Sequence, residues 1–226
     1  MKAALVTGGS SGIGLAIARM LREEGYALTL AARKLERLEQ ARNELDAEIV
    51  QADVSREEDC VRLVRAHVDV HGGLDVLVNS AGLGIGRSVA ELSTKHWDLQ
   101  FAVNMRGTFV MTREALPHLR QTRGYVVNLA SIAGTVPTPW LSGYGASKAA
   151  VISFTRSFAR EEASNGVRAT ALCPGFVDTP MTDWTGIAGH DMIQPEDCSE
   201  VVRSLLRLSP QARVPVVVIE RAGEDV

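Results

Sequence analysis

The sequence predicts a doubly wound α/β fold, a parallel sheet with helices on both faces. Short β-branched or apolar runs alternate with longer amphipathic stretches from end to end. Several of the runs are hydrophobic almost throughout, as strands buried on both faces must be. Loops 8–12, 81–87 and 174–189 break the rhythm, and each follows the carboxyl end of a predicted strand, the edge where such sheets bind ligands. Strands are expected at 3–7, 27–31, 48–52, 76–79, 125–130, 168–173 and 214–219. Helices are expected at 12–24, 35–45, 57–71, 95–119, 144–163 and 196–208, joined by right-handed crossovers.

No Pro/Gly linker divides the 226 residues, so the expectation is one domain over 1–226 with a short substrate loop near 176–194. With 46% apolar and 23% charged residues, the composition excludes a disordered tail, a coiled coil and a collagen. A formal charge of −3 argues against a nucleic-acid partner, which calls for a basic face. No apolar run approaches the ~20 residues of a membrane span. The first strand meets Gly8-Gly9 too early for a signal peptide. Cys60, Cys173 and Cys198 are odd in number and widely spaced, which fits neither a disulfide framework nor a zinc site. Reduced, buried thiols and a cytoplasmic location are expected. His67, His71, His96, His118 and His190 show no metal-ligand spacing and are expected at the surface or at helix ends, with no metal bound.

Thr7-Gly8-Gly9-Ser10-Ser11-Gly12-Ile13-Gly14 joins the first strand to the first helix. Glycine permits a tight turn with positive φ and lets backbone N–H groups approach a pyrophosphate. The helix N-terminus behind it adds partial positive charge. Gly8-Gly9-Ser10-Ser11-Gly12 also fits a G-x-S-x-G nucleophile elbow, but that elbow follows a central strand well into the chain. A P-loop needs Lys and Ser/Thr where Ile13-Gly14 stand, so that reading fails.

The string Thr7-Gly8-x-x-x-Gly12-Ile13-Gly14 resembles the cofactor signature of the short-chain dehydrogenase/reductase family. The likeness runs on through Asp53, Asn79-Ser80-Ala81-Gly82, Asn104, Ser131, Tyr144, Lys148 and Pro174-Gly175. It implies a single-domain Rossmann fold on a seven-stranded sheet and an oxidoreductase using a nicotinamide cofactor.

Which nicotinamide is read from the second strand. An NAD site places an acid about 20 residues past the glycines for the ribose 2′-hydroxyl. Here Arg33 and Lys34 follow the strand, with no carboxylate before Glu36. A guanidinium holds a 2′-phosphate bidentately. NADP(H) is therefore the expected cofactor, with NAD(H) the alternative. The resemblance implies that Asp53 accepts from the adenine amino group beside Val54; as an alternative, Asp53 simply opens a turn. It further implies cofactor contacts from Gly8, Ser10, Ser11, Gly12, Ile13, Gly14, Asn79, Ala81, Gly82, Pro174, Gly175, Val177 and Thr179. Ser80 departs from the second Asn usual in the family.

Tyr144 and Lys148 lie four residues apart on a predicted helix and share a face. A nearby ammonium, with the positive charge of an oxidised nicotinamide, favours phenolate and is expected to lower the phenol's pKa, so that Tyr144 gives or takes a proton as general acid or base. The resemblance implies that Ser131 orients the carbonyl oxygen and that Lys148 also holds the nicotinamide ribose. It gives Asn104 a water that links Lys148 to solvent.

Met181, Trp184 and Ile187 on one side and Leu83, Ile132, Val136, Trp140 and Leu141 on the other are candidate walls for the substrate, with packing or oligomer contact as their alternative. No Arg or Lys stands out in these loops to clamp an anion, which leans towards a neutral, partly apolar ketone or aldehyde. The tail 221–226 is polar and expected to fray. By resemblance the chain forms a homotetramer or homodimer through helices 95–119 and 144–163. The expected activity is NADP(H)-dependent interconversion of a carbonyl and an alcohol. An NAD-dependent alcohol dehydrogenase and a non-catalytic NAD(P)-binding sensor are the alternatives, while an epimerase or dehydratase would need a larger substrate domain.

Overall fold

Along the first strand, burial alternates between two cores and so fixes the layering. In the computed structural model, which describes residues 1–223, β1 (Ala3–Thr7) turns Ala4 and Val6 to one cluster and Leu5 to the other. The first cluster packs α1 (Gly12–Glu23) and α2 (Leu35–Leu45) onto the sheet together with α7 (Pro195–Arg207). The second packs α3 (Glu57–His71), α5 (Thr108–Thr122) and α6 (Ser142–Glu161) on the opposite face. The remaining strands are β2 (Ala27–Ala32), β3 (Glu48–Gln51), β4 (Val76–Asn79), β5 (Tyr125–Leu129), β6 (Arg168–Pro174) and β7 (Val216–Ile219).

All seven strands pair in parallel in the order β3-β2-β1-β4-β5-β6-β7. The order reverses between β1 and β4, and a crevice opens beyond their carboxyl ends. Register brings those ends into line: Thr7 pairs Ala31 and Asn79, and Asn79 pairs Asn128. Behind them, Asn79 Nδ2 donates to Asn128 Oδ1 at 2.8 Å and Asn128 Nδ2 to Thr155 Oγ1 at 2.9 Å, tying the strand ends to α6.

Three expectations need correction. The helix expected over 95–119 is three pieces: α4 (Thr94–Phe101), a π-helical segment (Ala102–Gly107) and α5. In the widened turn the Thr108 hydroxyl donates to Asn104 O at 2.8 Å. The last strand begins at Val216, after Pro215, which has no N–H to give to the ladder, and Val214, whose carbonyl accepts from the Thr170 hydroxyl. His67 is fully buried, not superficial: its ring nitrogens meet Thr29 Oγ1 at 2.9 Å and Gly73 O at 3.1 Å. Of the tail expected to fray, residues 224–226 lie outside the described residues. All three cysteines are free and buried, and burial raises their thiols to between about 11 and about 12. No helix among the described residues is long and apolar enough to cross a membrane.

Candidate active site

A cleft of about 1140 Å³ follows the carboxyl edge of the sheet. Its floor at the centre is the turn after β1. Gly8 and Gly12 take φ of +67° and +52°, a conformation that disfavours any side chain. A Cβ on Gly8 would stand 2.8 Å from Ala81 N, so the turn closes directly on the loop after β4. A Cβ on Gly12 would stand 3.0 Å from Thr179 Cγ2, which brings the loop after β6 over the same point. Ser10, Ser11, Ile13, Ala81, Gly82, Pro174, Gly175, Val177 and Thr179 also line the cleft. Gly14 and Asn79 stand behind its wall. A Cβ on Gly14 would lie 2.4 Å from Gly8 O, and Asn79 spends its amide on Thr112 and Asn128.

At the β2–β3 end the lining is cationic. Arg33 is joined there by Lys34 and by Arg37, which sequence reasoning passed over although its four-residue spacing from Arg33 was visible. All three are exposed, and among the described residues none is paired with a carboxylate. Asp53 and Val54 line the same end; Asp53 Oδ1 also accepts from Ser55 N and Oγ at 2.9 and 2.7 Å, so the turn-opening alternative is realised beside the cleft.

Past the turn, Ser131, Tyr144 and Lys148 converge on the cleft from β5 and α6. Ser131 lies two residues past the end of β5 and caps the short turn Ile132–Gly134, its Oγ accepting from Ala133 N at 3.2 Å. Tyr144 and Lys148 share one face of α6, with the Lys148 Nζ 5.7 Å from the phenol ring centroid. That ammonium is buried, donates to Leu129 O at 2.6 Å, and burial lowers it to about 8. Burial raises the Tyr144 phenol above its ordinary value, with the Ser131 hydroxyl pulling the other way. Burial of the phenol against the cleft wall sets the direction, and the one opposing influence is Ser131 rather than the Lys148 ammonium.

Asn104 does not point at solvent. Its Oδ1 accepts from Leu83 N, and its Nδ2 donates to Leu83 O and Ser147 Oγ, each at 2.9 Å. A Cβ on Gly82 would stand 3.3 Å from Asn104 Oδ1 and 3.4 Å from Lys148 Nζ, so the loop backbone passes close to both side chains. One turn earlier, buried Gln100 takes Ile85 N–H on Oε1 at 2.9 Å. Two amide side chains thus clamp the loop after β4 to the helix. Gly84 of that loop lies against the Tyr144 ring, where a Cβ would meet Cδ2 at 3.4 Å. Sequence reasoning missed Gln100; its only signal was a polar residue among Phe101, Ala102 and Val103.

Of the expected substrate walls, Leu83, Ile132, Val136, Leu141, Met181 and Trp184 line the cleft, joined by Phe176. Trp140 and Ile187 do not. Trp140 sits at φ +67° with 66% of its surface exposed, turned away so that its carbonyl can accept from Arg87 N at 2.7 Å.

Known proteins share this sequence and shape. The family model described as short chain dehydrogenase matches residues 2–186. An uncharacterized oxidoreductase of Staphylococcus epidermidis is 37% identical over 204 residues, which is 89% of each chain. An uncharacterized oxidoreductase of Staphylococcus aureus is 37% identical over 205 residues, again 89% of each. Among solved structures, an alcohol dehydrogenase from the archaeon Thermococcus sibiricus, complexed with 5-hydroxy-NADP, is 33% identical and superposes with a TM-score of 0.92 over 99% of this chain and 98% of its own. With the family model matching residues 2–186 and these relatives 37% identical over 89% of each chain, this protein belongs to the short chain dehydrogenase family.

Proposed function

We propose that this protein is an NADP(H)-dependent carbonyl reductase, working also as an alcohol dehydrogenase in reverse. The observation that carries this reading is one cleft holding three unpaired cations at its β2–β3 end and a protonated phenol at the other. The residues fit a nicotinamide dinucleotide. The glycine turn leaves no space for side chains but leaves N–H groups free at the start of α1, which suits a pyrophosphate. Arg33, with Lys34 and Arg37 beside it, suits a 2′-phosphate, and no carboxylate lines that end apart from Asp53 at the base position. The relative complexed with 5-hydroxy-NADP adds support. When bound, such a cofactor supplies the hydride.

The chain's own groups handle the proton. Ser131 Oγ holds the carbonyl oxygen by a hydrogen bond. The Tyr144 hydroxyl, protonated at neutral pH, gives its proton to that oxygen as it becomes an alcohol, or takes one back in reverse. Lys148 stabilises the phenolate that remains, and Asn104 keeps the facing backbone in place through Leu83. One domain carries both halves of the cleft, with residues 176–194 as the substrate loop. A homotetramer or homodimer through α5 and α6 fits the half-exposed Phe109 and its edge contact with Phe154 at 6.1 Å.

Paired titration with NADPH and NADH tests the cofactor half. The wild type should bind NADPH at least about tenfold tighter, or ~1.4 kcal/mol, and Arg33→Ala should bring the ratio towards one. NADH binding as tightly as NADPH to the wild type would contradict the reading.

A further inference from the structure

Charge along the cleft is segregated. Arg33, Lys34, Arg37 and Asp53 line the β2–β3 end, and Lys148 is buried beneath the centre. Beyond Ser131 and Tyr144, no charged side chain lines the cleft among the described residues. The walls there are Leu83, Ile132, Val136, Leu141, Phe176 and Met181. Segment 132–141 has no charged residue, and Arg87, the one cation of loop 81–87, stands outside the lining and donates to Gly86 O at 2.9 Å.

The loop after β6 adds two features that point the same way. Phe176 and Trp184 meet edge to face, with ring centroids 6.3 Å apart at 78°, and both line the cleft. Trp184 is nevertheless 68% exposed and Met181 45% exposed, so a large apolar surface stands open at the mouth. The loop is braced in that position. Its base is closed by the Val177–Ile193 bridge, and the Thr182 hydroxyl donates to Val177 O and Thr179 O at 2.5 and 2.8 Å. Between Phe176 and Gln194 the loop carries Asp178, Asp183 and Asp191 and neither Lys nor Arg; its single histidine, His190, lies 3.7 Å from Asp191.

Resting on the reductase reading above, we infer that the substrate is an uncharged carbonyl compound with an aryl or similarly bulky apolar group, and that the acidic loop and apolar walls turn away carboxylates, phosphates and anionic acyl carriers. An aryl ring gains an edge or stacking partner in Trp184 and covers surface that otherwise faces water. An anion entering the same half would give up hydration with no cation to receive it. The three exposed carboxylates of the loop stand outside the lining and add only a longer-range repulsion, felt within a Debye length of about 8 Å at physiological salt.

The test compares three ketones with NADPH: acetophenone, its anionic analogue 4-acetylbenzoate, and butan-2-one. Acetophenone should exceed both others in kcat/KM by at least about tenfold. Trp184→Ala should raise KM for acetophenone several-fold, and clearly more than it raises KM for butan-2-one. Asp183→Asn should lower KM for 4-acetylbenzoate at low salt and have no effect at high salt. A 4-acetylbenzoate rate equal to or above that of acetophenone overturns the inference, as does a Trp184→Ala effect equal for all three. Saturation-transfer NMR on the same ketones separates this from the reductase reading. If NADPH binds and no ketone turns over, the reductase reading fails on its own. Contact of acetophenone but not 4-acetylbenzoate with the wild type, lost in Trp184→Ala, then still upholds the apolar site, and any other pattern overturns it.

Discussion

Lys148 donates to one backbone carbonyl, Leu129 O at 2.6 Å, and has no carboxylate partner within the cleft. Burial therefore acts on it almost alone and lowers it to about 8, while the same burial raises the Tyr144 phenol. The sign of the pH effect follows. Below about 8 the ammonium is present, where the proposed mechanism has it stabilise the phenolate left by proton donation; above it the charge is lost. Reductive kcat/KM is expected to fall as pH rises through that value, and a profile flat on both sides of it would contradict the assignment. The residues of this group were legible from the sequence, since a four-residue helical spacing and a strand-end serine are local patterns. The direction of the phenol's shift was not, because it depends on how deeply the cleft wall encloses the ring. Arg37 was overlooked for the opposite reason: its pattern was local, but a surface helix offers many cations and only the fold selects those facing the cleft.

At the scale of elements, the break between α4 and α5 matters most for the site. A π segment places Asn104 so that both of its amide atoms bond Leu83, while Gln100, still on regular helix, bonds Ile85. π-bulges recur at functional sites because they rotate one residue out of helical register. Gln100→Leu leaves the half-buried Ile85 N–H without its acceptor, a loss of about 1 kcal/mol. The loop over the Tyr144 ring should loosen. The expected result is a KM for the carbonyl raised several-fold with NADPH affinity preserved, read by steady-state kinetics beside a binding titration. Equal loss of both, or no change in KM, would remove the positioning role. The 3.6-residue periodicity predicted a single helix here, since one inserted residue scarcely disturbs the pattern of apolar positions. Bounds elsewhere fell within a residue or two of expectation, β7 among them with a start two residues late, after Pro215.

The whole molecule was the most legible level. Alternation of nearly continuous apolar runs with amphipathic stretches specifies a parallel sheet, and the crossover rule leaves few topologies for it. Burial of polar groups inside that frame was much less visible, and His67 shows why. It lies on α3 with an apolar helix face, yet it is fully buried against Thr29 of β2, with the His71 ring 4.8 Å away. Burial, with smaller contributions from His71 and His118, lowers His67 to about 4. An unfolded histidine titrates near 6.5, so between those values the unfolded chain binds the proton and the folded one does not. Stability should decline as pH falls from about 6.5 towards 4, by up to ~3 kcal/mol from this residue. Denaturant melts of wild type and His67→Gln across that window measure it: the variant should show the weaker pH dependence, and parallel curves would refute the assignment.

Proton transfer by Tyr144 in a cleft built for NADP(H) is the central claim, and Tyr144→Phe tests it most directly. The substitution removes one hydroxyl and keeps the ring that packs on Gly84. Carbonyl reduction by the variant, with NADPH binding measured on the same preparation, should fall by at least about a thousandfold, within the range lost with a general acid. NADPH affinity should stay within about twofold of wild type, ~0.4 kcal/mol. Turnover preserved in Tyr144→Phe with cofactor bound would contradict the account.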